Sequence, residues 1–405
     1  MATRSASIGR SGTRANQKAA ARARSSADNS ASLITLVTFA LMLLGLMMIL
    51  SASFVSSFTN YGSSFLFFKR QLLWVVLGVI TFVVFSRLDY KKLKGVGYLL
   101  IVASVALLCA VIVPGIGVTV GGSARWLAAG PFSFQPSELA KIALILFAAD
   151  VYSRKQESSL DDLPHTMLPI VPVLAVLAGL VMLQPDLGST ILIGSIGIGM
   201  LVVAGAPMRY VGSLAGLGLA VATFAALVDT ERRSRVMSFL DPWKDALGDG
   251  YQTIQGLIAI GSGGWFGVGL GASRQKWNYV PNAHTDYIFA ILAEELGVLG
   301  TFVVLGLFVA LAYLGLRTAR EAPDRFGMLL AAGITIWISV QACVNIGVVT
   351  ATLPMTGVPL PLVSFGGSSL VLTLLAAGIL TNIAKQGRPD TLRAARARRR
   401  ESARG

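Results

Sequence analysis

The residues best suited to chemistry lie in Pro281-Asn282-Ala283-His284-Thr285-Asp286, just before an apolar run that begins Tyr287-Ile288-Phe289. An acid carried toward the bilayer centre costs roughly 2.5–3.5 kcal/mol, and ionisable groups kept there usually have a function. Position alone gives Asp286 two readings. It is either the cap of the helix starting at Tyr287 or a reactive carboxylate in basic company. Arg274, Lys276 and His284 precede it, and Arg125 and Lys141 can approach from the same side. A carboxylate in a cationic hollow facing lipid suits an anionic lipid substrate.

Other charged groups have parallel readings. Glu138 and Lys141 are spaced to share one helix face and can form an ion pair within the bilayer. With Pro136 fixing the helix start, that positive end can also receive a phosphate. Asp186, in Gln184-Pro185-Asp186-Leu187-Gly188, reads first as the cap of the next helix. In a continuous helix Glu294 and Glu295 lie about 12 Å deeper than Asp286. They therefore read as buried partners, for instance of Asn345 or Lys141. Two cysteines and two histidines support neither a disulfide framework nor a thiolate or histidine metal centre, which leaves an oxygen-ligated divalent cation as the one metal to consider.

The elements that must position these groups are membrane spans. The 405 residues are 54% hydrophobic and 13% charged, with mean hydropathy +0.69, which excludes an ordinary soluble domain. The net charge of +14 sits in two tails and in short loops, a cytoplasmic-retention pattern rather than a nucleic-acid footprint. Apolar runs near 33–52, 71–87, 97–115, 136–152, 167–184, 187–207, 210–228, 287–316, 327–349 and 367–386 match a hydrocarbon core of ~30 Å. The expected fold is an all-α polytopic membrane protein of about ten transmembrane helices. Most of the Lys and Arg fall on one side if both termini are cytoplasmic, which puts Asp286 on the outer face. Residues 1–31 read as a disordered basic cytoplasmic tail, 32–386 as the membrane domain, and 387–405 as a second basic tail. The outer side then carries 116–141, a large loop at 229–286 between the seventh and eighth helices, and 350–366. Irregular backbone at membrane depth survives where protein or water satisfies it, so these segments are expected to wall a cavity.

The inventory favours one reaction class. Glycoside hydrolysis needs two carboxylates flanking the bond, and no local pair is present. Glycosyl transfer from a polyprenyl-diphosphate sugar needs one base for the acceptor hydroxyl, with cations to hold the departing charge. An ion-coupled transporter fits the same composition.

Longer motifs carry a resemblance. Gly269-Leu270-Gly271-Ala272-Ser273-Arg274-Gln275-Lys276, the 281–289 stretch, Glu294-Glu295-Leu296-Gly297, 121–141 (GGSARWL…FQPSELAK), 184–188 (QPDLG), Gly250-Tyr251-Gln252 and 353–369 (LPMTGVPLPLVSFGGSS) closely resemble the SEDS family of shape, elongation, division and sporulation proteins. The run before His-Thr-Asp resembles its division branch rather than its elongation branch. Asn282 departs from the Glu usual among relatives, and Ser133 from a basic residue found in some. The resemblance implies a peptidoglycan glycosyltransferase that polymerises lipid II on the outer face of the cytoplasmic membrane, concentrated at the division septum. It also implies a class B penicillin-binding transpeptidase and other division-complex membrane proteins as partners. Asp286 would be the essential acid, with undecaprenyl diphosphate leaving. Arg125, Lys141 and Lys276 would contact the diphosphate, with a divalent ion as a possible aid. Asn345, Ser364, Ser368 and Ser369 would line the cavity. Glu138, Asp186, Gln252, His284, Thr285 and Glu295 complete the substrate-contact set implied by the motifs. A lipid II flippase and a recruiting scaffold are the competing functions, and the elongation-type polymerase is the competing enzyme.

Overall fold

The computed structural model describes residues 5–387 other than 121–122, 130–131, 156–161, 229 and 278, with residues 5–28 described as backbone only. The chain runs α1 (Ser5–Tyr61), α2 (Leu66–Arg87), α3 (Val96–Ile112), β1 (Gly117–Val120), β2 (Ser123–Ala129), β3 (Phe132–Phe134), α4 (Pro136–Ser153), α5 (Leu163–Met167) and α6 (Val171–Leu183). It continues α7 (Leu187–Ala204), α8 (Met208–Val228), α9 (Thr230–Leu240), α10 (Tyr251–Ser262), α11 (Ile288–Glu321), α12 (Arg325–Val349) and α13 (Gly367–Gln386).

A helix occupies each of the ten apolar runs. Among the described residues seven helices are long and apolar enough to cross a membrane, including the Asn29–Tyr61 part of α1. Helices α3 and α6 are apolar but shorter, and α4 has comparable length but carries Glu138, Lys141 and Asp150. The protein is thus a multi-pass membrane protein. Helices α12 and α13 form its centre: 89% of the apolar window of α13 is buried against 6% for α8, which hangs on the edge. One apolar core runs through the bundle from Ile34 and Leu41 on α1 to Leu374 and Ile383 on α13.

Three segments depart from the expectation. The basic N-terminal stretch is helical from Ser5 rather than disordered, because Ala, Arg, Lys and Gln are all good helix formers. Between α3 and α4 the strands β1, β2 and β3 form a three-stranded antiparallel sheet, in the order β1-β2-β3, which the helical expectation did not include. Short β-branched and aromatic strands, GVTV and FSF, favour that pleat. The 229–286 stretch is largely ordered rather than loop. It holds α9, a 3-10 turn at Pro242–Asp245, and α10. The expected basic tail at 387–405 lies outside the described residues apart from Gly387.

The eighth apolar run is also not one continuous helix. Gly297 adopts φ 67° and ψ −167°, which breaks α11. The break is repaired by exchange with 264–269. Val298 N and Leu299 N donate to Gly264 O (2.9 Å) and Trp265 O (3.2 Å), while Glu294 O and Glu295 O accept from Val268 N (3.0 Å) and Gly269 N (3.1 Å). These four backbone groups, freed inside an apolar run, are therefore satisfied by protein. A Cβ on Gly297 would lie 2.3 Å from Gly267 N, at a φ that L side chains rarely adopt. We expect Gly297→Ala to lose about 1–3 kcal/mol of stability, read as a lower unfolding midpoint in detergent. Gly306→Ala, whose added Cβ meets nothing within 4 Å, should be neutral or better. Equal midpoints would contradict this description of the break.

Candidate functional site

The loop before α11 is built as a tight, pinned turn. Asn282 sits at φ 54°, a left-handed conformation that Asn tolerates better than most residues. Its carbonyl accepts from Thr285 N (3.0 Å) and Thr285 Oγ1 (3.1 Å). The next contacts come from other elements. The carbonyls of His284, Thr285 and Asp286 accept, in order, from Phe365 N (3.0 Å), Ser364 Oγ (2.7 Å) and Asn345 Nδ2 (2.8 Å). Gln252 Nε2 on α10 holds Pro281 O at 3.1 Å. Asn345 Nδ2 also donates to Val358 O (2.7 Å) and so joins α12, the loop that carries Asp286 and the 350–366 segment.

This frame decides the role of Asp286. Helix α11 begins at Ile288, its N-cap is Tyr287, and no side-chain cap bond forms there. Asp286 is therefore not the cap, and its half-buried carboxylate is left for other work. Burial is the main cause that raises its pKa to about 6. Arg125 opposes the rise, Asp186 adds to it, and Thr285 and Arg235 pull it down. The backbone of Gly357 closes one side: a Cβ there would stand 3.6 Å from Asp286 Oδ2.

Arg125 reaches this place through a bulge. On β1 Val118 pairs with Trp126 and Thr119 with Ala124, so Arg125 is the extra residue of β2. Bulges re-aim side chains in this way. Its guanidinium donates to Gln184 O (3.2 Å), Pro185 O and Ser123 Oγ (3.3 Å). Asp186, in the same turn, caps α7 through Ser189 N (3.0 Å) and Ser189 Oγ (2.8 Å) and accepts from Gln135 Nε2 (3.2 Å). Its capping reading stands, while its charge still reaches Asp286.

Several residues expected to contact substrate are engaged by other groups of the protein. Lys141 is wholly buried on Glu138 (2.7 Å) and Gln341 Oε1 (2.9 Å), with its ammonium 5.1 Å from the Trp337 ring centroid, so no face remains for a phosphate. Lys276 is buried too, donating to Gly271 O (2.5 Å) and Ser51 Oγ (3.3 Å) and lying 3.6 Å from Glu295. Glu294 and Glu295 are buried partners as expected, but not of Asn345 or Lys141. Glu294 accepts from Ser273 Oγ (2.5 Å) and Arg274 N (3.0 Å), and Glu295 from Ser51 Oγ (2.6 Å) and Ser273 N (3.3 Å). At the break at Gly297 the 264–276 segment packs against α11 and supplies Ser273 and Arg274, while Ser51 comes from α1. His284 is no cation: burial lowers its pKa to about 4. Its ring packs against Phe67 (4.7 Å) and Phe365 (5.6 Å).

The serines divide as follows. Ser364 is the pin described above. Ser368 Oγ accepts from Gln135 N (3.3 Å) and ties the end of the sheet to α13. Ser369 is buried beside Gly366. The close approach at Gly367 is made by the Trp74 indole, which would lie 2.2 Å from an added Cβ. Sequence reading missed Gln341, whose Nε2 donates to Pro359 O (3.0 Å). The signal was available, because Gln341 and Asn345 are amides four residues apart on one face of an apolar helix. It also missed Ser51 and Ser273.

Two cavities border the loop preceding this turn. One of about 410 Å³ is lined by Met47, Leu50, Ser51, Phe54, Phe65, Leu270, Gly271 and Lys276. The other, of about 590 Å³, is lined by Gln255, Arg274, Gln275, Trp277 and Tyr279. Among the described residues no three His, Cys, Asp or Glu side chains converge. A clean test of the structural assignment is Lys141→Met with Glu138 retained. A buried carboxylate without its cation costs about 3–5 kcal/mol, so the unfolding midpoint should fall far below that of Asp286→Asn. Equal midpoints would return Lys141 to the substrate.

Comparison with known proteins gives consistent matches. The family model FTSW_RODA_SPOVE, described as cell cycle protein, matches residues 31–389. Stage V sporulation protein E of Bacillus subtilis (strain 168) is 42% identical over 357 residues, 88% of this chain and 97% of its own. The probable peptidoglycan glycosyltransferase FtsW of Geobacter metallireducens is 40% identical over 350 residues, covering 86% and 93% of the two chains. Among solved structures, a chain of a peptidoglycan synthase complex that coordinates polymerization and crosslinking aligns with TM-score 0.72 at 30% identity, over 87% of this chain and 96% of its own. The rod shape determining protein RodA of Thermus thermophilus aligns with TM-score 0.65 at 27% identity, over 88% and 97%.

Proposed function

This chain belongs to the cell cycle protein family that unites FtsW, RodA and stage V sporulation protein E, and from that premise we propose how it acts as a peptidoglycan glycosyltransferase. It polymerises lipid II at the outer face of the cytoplasmic membrane during septal wall synthesis. The observation that carries the reading is Asp286, an uncapped carboxylate with a raised pKa, on a loop whose backbone is held from α10, α12 and the 350–366 segment.

The step that this geometry supports is a single displacement. The Asp286 carboxylate takes the proton of the acceptor sugar's 4-hydroxyl, and the freed oxygen forms a bond to the anomeric carbon of the growing strand. The bond from that carbon to the diphosphate breaks, and its electron pair leaves on undecaprenyl diphosphate. Configuration at the anomeric carbon inverts. A base whose pKa lies near the working pH combines a large ionised fraction with useful basicity. Of the three cations expected to meet the diphosphate, Lys141 and Lys276 are buried in ion pairs. Arg125 is half-exposed and acts on Asp286, so the contact is assigned to it. A class B penicillin-binding transpeptidase and other division-complex membrane proteins are the proposed partners, in keeping with the likeness to a synthase-complex chain.

The purified chain in detergent, given lipid II and its transpeptidase partner, should make glycan strands. Asp286→Asn should lower the rate by about a hundredfold or more, and strands made at the normal rate would contradict the base assignment. Because detergent leaves no bilayer to cross, polymer also separates the enzyme from a flippase. The wild-type rate should fall as pH drops through about 6, where Asp286 protonates. Arg125→Gln removes a charge that stabilises the carboxylate, so it should move that limb to higher pH. Asp186→Asn should move it lower, and a limb that neither change moves would contradict the electrostatic account.

A further inference from the structure

The larger cavity, about 590 Å³, falls within the range of small-molecule sites, about 300–1,000 Å³. Its lining combines two aromatic rings, two planar amides and one guanidinium. Trp277 and Tyr279 are 63% and 53% exposed. Gln275 lines the cavity, and among the described residues its Oε1 is a buried acceptor without a hydrogen-bond partner. A buried acceptor left unpaired is unfavourable until a donor arrives.

The wall is rigid. Glu294 and Glu295 hold Arg274 N (3.0 Å) and Ser273 N (3.3 Å), and inside the turn Trp277 N donates to Arg274 O (3.2 Å) and Val280 N to Gln275 O (3.0 Å). The two acids buried beneath the turn thus hold the backbone at the start of the segment that carries the two rings. The wall is also continuous with the reactive loop. Tyr279 is two residues before Pro281, whose carbonyl is held by Gln252, and Gln255 follows Gln252 by three residues on the same face of α10.

Aromatic faces combined with amides and an arginine match the surface of a saccharide. Pyranose rings present apolar C–H faces that stack on indole and phenol, and their hydroxyl and N-acetyl groups pair with amides. A carboxylate on a sugar substituent pairs with a guanidinium. An acyl chain would call for aliphatic walls, which the smaller cavity has and this one lacks. We propose that the cavity lined by Gln255, Arg274, Gln275, Trp277 and Tyr279 is a saccharide subsite that holds already polymerised sugar units of the strand beside the reactive loop. This rests on the reading of Asp286 as the base of a polymerising enzyme.

The probe is a soluble tetrasaccharide of β-1,4-linked N-acetylglucosamine, titrated into the full-length protein in detergent and followed by saturation-transfer NMR. Wild type and Asp286→Asn should both bind it, whereas Trp277→Ala and Tyr279→Ala should each bind roughly tenfold more weakly, the loss of about one good contact. In the polymer assay those two variants should release shorter strands than wild type. No binding by wild type, or unchanged affinity and strand length in both aromatic variants, would overturn the proposal. The second result would also mean that the rings serve only as membrane-interface residues. Wild type that binds the sugar yet makes no polymer from lipid II would instead overturn the reading of Asp286 and leave the saccharide site standing.

Discussion

Three consecutive carbonyls, those of His284, Thr285 and Asp286, are held by donors from outside their own loop. That constraint decides what Asp286 can do. A carboxylate at the start of a helix ordinarily folds back to cap it, and its chemistry is then spent on backbone N–H groups. Here Tyr287 takes the N-cap position, the backbone of the loop is satisfied from α12 and the 350–366 segment, and the carboxylate stays apart. Preorganisation of this kind removes the reorganisation that a mobile loop would need at the moment of reaction.

The buried charges serve the same frame. Lys141 joins α4 to Gln341 on α12, and Gln341 in turn reaches Pro359 in the segment that pins the reactive loop. Glu295 and Lys276 join α11, α1 and the 270–276 turn around Ser51. Each pair is expensive to desolvate and gains only if its geometry is good. Through Gln341 and Ser51 they link elements far apart in sequence, and together they hold the 264–276 and 350–366 segments on the bundle. The cation that acts most strongly on Asp286 is Arg125, delivered by a bulge in a strand and hooked onto the turn that carries Asp186.

Much of this was legible in the sequence. Span positions followed from hydropathy, since no other structure satisfies the backbone of apolar runs of that length. Asp286 stood out because an acid at the lip of a span needs a reason, and the Pro- and Gly-rich 350–366 segment was expected to wall the site. What could not be read were tertiary pairings and local breaks. Gly297 sits in an apolar helical pattern, and nothing nearby reveals that 264–269 will exchange hydrogen bonds with it. Without that break Glu294 and Glu295 were matched to the wrong partners. Lys141 and Lys276 looked like phosphate ligands because charge is visible in a sequence; the Glu138 pairing of Lys141 was legible from its spacing, whereas Gln341 and Glu295, which complete the two environments, come from other helices. His284 looked cationic for the same reason, yet Phe67 and Phe365 enclose it in an apolar pocket. The small sheet escaped notice because its strands are short and interrupted by glycine.

The account depends on the ionisation state of one side chain, which can be measured without turnover. Infrared difference spectra of the full-length protein against Asp286→Asn, recorded across pH, isolate the protonated carboxyl band of that residue. The structure predicts a midpoint near 6, moving upward in Arg125→Gln. A midpoint at the ordinary carboxylate value of about 3.9, indifferent to Arg125, would place the side chain in open water and contradict its role as the base.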